Sequence, residues 1–240
     1  MVENEYLNIC LVALYKLFFS YPRELSLLLL ESSDPVSIWE NVDTHLLKTA
    51  IKEKPQKKQK EELLDFAKKE VDSLTKLNAE IVPIYSEKYP KLLKDIYDPP
   101  PLLFINGTLF ENFKSVSIVG ARKYTEYGER VSKMLAKELA NNGITVVSGL
   151  ANGIDSIAMN SAIKANGKTI GIIGSGIDVV YPRTSRNLFL QTKNNGAVIT
   201  EFFLKTPPNR WNFPRRNRII SGISKGTIIV EASVKSGSLI

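Results

Sequence analysis

The rhythm of apolar positions changes near residue 77. Before it, Leu7, Leu11, Leu14 and Phe18 recur at helical spacing, and the stretch 24–30 adds a second apolar run. Asp34 followed by Pro35 reads as a helix start ahead of Ile38, Trp39 and Val42. The segment 53–60 is mostly charged and contains Pro55, so a loop or a solvated helix entry is expected there, with helical spacing resuming over 61–77. Residues 1–76 are therefore expected to form a small helical domain, with no visible chemistry.

From residue 77 onward the pattern is that of strands and helices in alternation. Residues 81–85 look strand-like, and Asp98 with Pro99, Pro100 and Pro101 forms a stiff turn that cannot be helix interior. Short apolar runs at 115–119, 144–147, 169–173, 197–200 and 227–230 predict strands. Amphipathic stretches at 128–141, 154–165 and 185–193 predict helices, closed by Gly143, Gly167 and Gly196. Continuously apolar strands separated by such helices indicate an α/β domain over 77–240, Rossmann-like, with a mostly parallel sheet covered on both faces.

Charge sharpens this division. The chain of 240 residues carries a net charge of +7. Residues 1–76 hold 11 Lys/Arg against 13 Asp/Glu, whereas 77–240 hold 21 against 12, so the second domain is net +9 and suits a polyanionic partner. The one cysteine, Cys10, allows no internal disulfide and no zinc cluster, and no secretory leader opens the chain. The apolar run 6–19 is short and contains Lys16, which predicts a buried helix and not a membrane span.

Ligands of open parallel sheets bind where glycine-rich loops leave the carboxyl ends of strands. Two such loops stand out. The first holds Gly120, Arg122 and Lys123, and the second holds Ser148, Gly149 and Gly153. Exposed backbone N–H groups, helix N-termini and two cations outline a phosphate site. Neither loop spells a dinucleotide or P-loop fingerprint, and no acidic residue stands where a ribose would be read. A nicotinamide enzyme is not expected, and no cofactor or metal is called for.

The segment 205–218 carries Lys205, Arg210, Arg215, Arg216 and Arg218 with no acid, and Trp211 and Phe213 are interleaved. Pro207, Pro208 and Pro214 predict an extended loop. Cations beside aromatics suit phosphates beside stacked bases, the chemistry of single-strand recognition. Either aromatic can instead pin the loop to the core; Phe213 is read as the stacking face, Trp211 more readily as an anchor. Catalytic arrangements are poor. His45 stands alone in the helical part, Asp155 and Asp178 read as turn or cap residues, and Glu201 with Glu231 after two strands reads as structural before it reads as a carboxylate pair.

Taken in order, these segments resemble the DNA-processing protein A (DprA/Smf) family. The matching blocks are SIVGAR at 117–122 with Thr125, Tyr127 and Gly128, SGLANGID at 148–155, and GSGID at 174–178 with Tyr181 and Pro182. FPRRNRIISG at 213–222, VEA at 230–232 and SGSLI at 236–240 follow, and the lead-in holds Tyr89, Pro90 and Asp98 to Pro100. The resemblance implies a sterile-alpha-motif-like helical domain before the Rossmann-like one. It also implies a cytoplasmic, non-enzymatic protein that binds single-stranded DNA without sequence preference and helps load the RecA recombinase during natural transformation. Arg122 inherits a phosphate-pocket role, Arg210 and Phe213 a phosphate-and-base contact, and Arg216 and Arg218 the family's Arg-Asn-Arg motif.

The departures are Asn152, where the family usually has Arg, and Met159, where it has His. The family's sheet runs on for several tens of residues past the equivalent of Ile240. The second domain is therefore expected to be truncated or completed by a second chain, which puts the family's homodimer in doubt. The alternative reading is a Rossmann-like nucleoside monophosphate hydrolase using Glu231 and Arg122. The stretch 224–231 lacks the paired glycines of that class.

Overall fold

The computed structural model describes residues 2–46, 49, 55–110, 112–233 and 236–239. It divides into two compact units, Met1–Tyr89 with Tyr97–Leu103, and Pro90–Ile96 with Phe104–Ile240. The sequence boundary after residue 76 falls at the end of a long helix, whereas the first unit runs on to Tyr89 and takes in Tyr97–Leu103 as well.

The first unit holds α1 (Val2–Leu17), α2 (Pro22–Glu31), α3 (Pro35–Glu40), α4 (Val42–Leu46), α5 (Lys57–Lys76) and β1 (Ala79–Pro83). Of the apolar face expected at the start of the chain, Leu11 and Leu14 of α1 and Phe18 just after it are fully enclosed and Leu7 is half-buried, with Leu25, Leu29, Val42 and Leu74 also buried. Asp34 caps α3 as its sequence suggests, its Oδ1 accepting from the backbone N–H groups of Val36 and Ser37 at 3.1 Å. Of the charged segment 53–60, residues 53 and 54 lie outside the described residues, and α5 begins at Lys57.

In the second unit the elements are α6 (Lys91–Lys94), β2 (Leu102–Gly107, entering from Phe104), β3 (Ser115–Val119), α7 (Glu126–Asn141), β4 (Thr145–Ser148), α8 (Ile154–Lys164), β5 (Thr169–Ile172), α9 (Arg186–Asn195), β6 (Ala197–Thr200), α10 (Asn212–Gly222) and β7 (Thr227–Ile229). Its strands lie in the order β2-β6-β5-β4-β3-β7. All neighbours are parallel except β2, which runs antiparallel to β6 with Phe104 opposite Thr200. No sequence signal had marked β2, so the parallel sheet gains an antiparallel strand.

Alternation along β3 shows how both faces are covered. Ile118 packs with Ala136 and Ala140 of α7 and Ile154, Ala158 and Ala162 of α8. The hydroxyls of Ser115 and Ser117 point the other way and donate to the carbonyls of Ile223 and Ile220, at 2.8 and 2.7 Å, so α10 closes the opposite face. The segment 205–218 is thus not extended throughout. Residues 207–210 lack regular structure, but α10 begins at Asn212. Pro214 is tolerated there because the first turn of a helix has no hydrogen bond for it to break. No described helix is long and apolar enough to cross a membrane.

Candidate functional site

The two glycine loops leave adjacent parallel strands, β3 and β4, and touch each other. The N–H of Ile154, the first residue of α8, donates to the carbonyl of Ala121 at 3.2 Å. Gly153 makes that approach possible. Its φ is +88°, and a Cβ there would stand 2.3 Å from the Ala121 carbonyl oxygen. Leu150 in the second loop also adopts a left-handed φ of 55°, an uncommon conformation for a leucine and one the surrounding packing must hold.

Beneath the loops lie two buried opposite charges, Asp155 and Arg216, each held by backbone groups. Each is 6% exposed. The Gly149 N–H donates to Asp155 Oδ2 at 3.1 Å, while Arg216 Nη1 donates to the carbonyls of Gly149, at 2.7 Å, and of Ile172. A Cβ on Gly149 would meet both side chains, 2.4 Å from Arg216 Nη1 and 2.7 Å from Asp155 Oδ2. Burial pushes the Asp155 carboxyl above its ordinary range, against the Arg216 charge and the backbone hydrogen bonds from Gly149, Ala151 and Gly120. Burial lowers Arg216 to about 10, with Asp155 opposing and Arg122 adding to the decrease. The two charges therefore fix the carboxyl ends of β4 and β5 from within.

Above it opens a cavity of about 740 Å³, lined among others by Arg122, Lys123, Asp155, Phe213, Arg216 and Glu231. Arg122 and Lys123 are exposed at its edge. The Arg122 guanidinium stands 5.8 Å from the Phe213 ring centre, and Tyr181 meets that ring from another side, also at 5.8 Å between centres. A small adjoining pocket is lined by Arg122, Gly149, Asn152, Tyr181, Pro182 and Phe213.

The sequence candidates fall into three groups. Arg122, Lys123 and Phe213 come together at the cavity. Ser148, Gly149, Gly153, Arg216 and Arg218 face inward. Ser148 is fully buried and donates to the Ile118 carbonyl at 2.6 Å. Arg218 donates from Nη2 to Glu201 Oε2 at 2.6 Å, and Arg215 joins the same oxygen at 3.0 Å; Glu201 is 0% exposed. Their shared cause is the helix: Arg216 lies one turn before Ile220 on the buried face, a constraint invisible to an extended reading. Arg210 stands apart, exposed, with its guanidinium 4.4 Å over the Trp211 ring.

Trp211 is a correction to the sequence reading. It is 71% exposed and anchors nothing. Glu201 and Glu231 form no pair, since β6 and β7 lie at different places in the sheet. Glu231 Oε2 instead accepts from the Thr125 N–H at 3.0 Å, filling the N-terminus of α7, and Gly128 leaves room for that oxygen. Asn152 Oδ1 accepts from the Thr184 hydroxyl at 3.1 Å, and Met159 is buried in α8. Tyr181 and Asp155 were not singled out as site residues, and Arg216 was singled out for DNA and not as the buried opposite charge of Asp155. An aromatic followed by proline in a loop after a parallel strand was the available signal for Tyr181.

Residues 80–240 match the family model described as DNA recombination-mediator protein A. The DNA processing protein DprA of Bacillus subtilis is 45% identical over 161 residues, 66% of this chain and 54% of that protein. Protein Smf of Escherichia coli is 40% identical over 190 residues, 76% of this chain and 50% of that protein. The chain thus spans about half the length of the curated relatives it matches. An X-ray structure of DNA processing protein A from Streptococcus pneumoniae aligns with a TM-score of 0.72 at 32% identity, covering 94% of this chain and 79% of that one. DNA processing protein A from Helicobacter pylori, for which a unique single-stranded DNA binding mode is described, aligns with a TM-score of 0.60 at 30% identity over 68% of this chain and 74% of that one.

Proposed function

Because the chain belongs to the DNA recombination-mediator protein A family, we propose that it binds single-stranded DNA without sequence preference and without turnover. One juxtaposition carries the reading: an exposed guanidinium, Arg122, beside the half-buried ring of Phe213 at the carboxyl ends of parallel strands. A guanidinium holds a phosphate bidentately, and the ring next to it offers a face to the adjoining base. Neither contact reads a base edge, so sequence is ignored. Lys123 and Arg210 extend the cationic edge. Ser148, Gly149, Gly153, Arg216 and Arg218 act as positioning residues that shape the loops and α10.

Family membership supports the finer reading that the bound strand is handed to the RecA recombinase in the cytoplasm during DNA uptake. A homodimer belongs to the same reading. The monophosphate hydrolase is disfavoured, because the Glu231 carboxylate it requires is engaged with the first turn of α7.

The test is fluorescence anisotropy of labelled oligonucleotides, single-stranded and duplex, of equal length. Tighter binding of the single strand is expected. A duplex bound equally well, or no binding of either, contradicts the proposal.

A further inference from the structure

We propose that Trp211 is a second base-stacking platform, taking a nucleobase next to the one at Phe213, with Arg210 backing the indole. This rests on the single-stranded DNA reading above and lengthens the site it describes. Tryptophan is highly buried on average, yet this one is 71% exposed. The Arg210 guanidinium stands 4.4 Å over the ring, and most of the Trp211 surface stays open to solvent. A base laid on the face opposite the guanidinium completes a stack of base, indole and guanidinium, and the same charge stands ready for the neighbouring phosphate.

The indole is presented by a fixed element. The Asn209 N–H donates to the Pro207 carbonyl at 2.8 Å, and the Asn212 N–H to the Asn209 carbonyl at 2.9 Å. The Asn212 side chain donates to the carbonyls of Gly174 at 3.0 Å and Pro207 at 3.2 Å. The turn that carries Trp211 is thereby tied down before α10 begins, so little ordering remains to be done on binding. One residue, Asn212, separates Trp211 from Phe213, so a strand passing the Phe213 ring reaches the indole within neighbouring nucleotides. Charge selects the occupant: Lys205 and Arg210 are both exposed, and 205–218 contains no acid, so this segment suits a polyanion that carries aromatic bases.

Trp39, the other tryptophan, is buried in α3, so a Trp39→Phe chain reports on Trp211 alone. It is titrated with oligothymidylate while the anisotropy of a labelled oligonucleotide is followed in parallel. Quenching of the indole emission with the same midpoint as the anisotropy is expected. Trp211→Ala should weaken binding about tenfold, Trp211→Phe should restore most of it, and melting should hardly move. Comparison of the parent chain with Trp211→Phe gives the same readout without replacing Trp39. Binding by anisotropy with unchanged emission, or with undiminished affinity in Trp211→Ala, overturns the inference and assigns this surface to another partner, such as a protein. Absence of any anisotropy change in the parent chain overturns the DNA-binding reading itself, and this inference with it.

Discussion

Arg122 and Arg216 both stand near the Phe213 ring, at 5.8 and 5.9 Å, and their surroundings separate their roles. Arg122 is exposed, whereas Arg216 is buried near Asp155 and donates to two backbone carbonyls. Arg122→Ala is expected to cost roughly 1.5–3 kcal/mol of oligonucleotide affinity, the range for a charge-assisted hydrogen bond, at unchanged melting temperature. Anisotropy and thermal melting on the same sample check this. Arg216→Ala is expected to destabilise the protein in denaturant titration by roughly 1–3 kcal/mol for each of the two carbonyls, of Gly149 and Ile172, that it leaves buried without a donor. Asp155 gives a pH signature. Its folded pKa is raised, so its contribution to stability is present below the ordinary carboxylate value and is lost as pH rises through the folded one. Wild type should therefore lose stability relative to Asp155→Asn as pH rises through that window. A gain would show the carboxyl to be depressed instead.

At the scale of elements, α10 explains most of what sequence reading missed. Three prolines and five cations looked like an extended arm, yet only Pro214 lies within the helix, in its first turn, where it costs nothing. Once the segment is helical, Arg216 must turn inward with Ile219 and Ile220, and Arg215 and Arg218 meet the buried Glu201. Glu201→Ala should consequently destabilise the protein by about 3 kcal/mol, measured by denaturant unfolding. The strands after β2 and the helices α7, α8 and α9 were legible because their apolar runs are short and bounded by glycine. The antiparallel β2 was not, since an apolar run carries no mark of its partner's direction. The Arg122 loop was legible as chemistry; its neighbour Phe213 was legible only as an aromatic among cations. Phe213 is half-buried, so Phe213→Ala should cost no more than about 1–2 kcal/mol of stability while weakening binding, and Phe213→Tyr should keep the π-face and bind almost normally. Wild-type affinity in a folded Phe213→Ala chain would remove the stacking role.

At the scale of the whole molecule, the charge of +9 over residues 77–240 against −2 over 1–76 is the distribution expected if the proposed strand lies on the later residues. Single lysine changes in residues 1–76 are thus expected to leave affinity nearly unchanged. Phosphate contacts release counterions, so the logarithm of affinity for a single strand should fall linearly with the logarithm of salt, by ~0.7 for each phosphate held. The central claim is that Arg122 holds one of those phosphates beside the Phe213 ring. The most direct measurement is therefore the salt dependence of oligothymidylate binding, by anisotropy, for wild type and Arg122→Ala side by side. A linear decrease in wild type, with lower affinity and a slope smaller by about 0.7 in the variant, is the predicted result. Equal affinity at low and moderate salt, or wild-type affinity and slope in a folded Arg122→Ala chain, would contradict it.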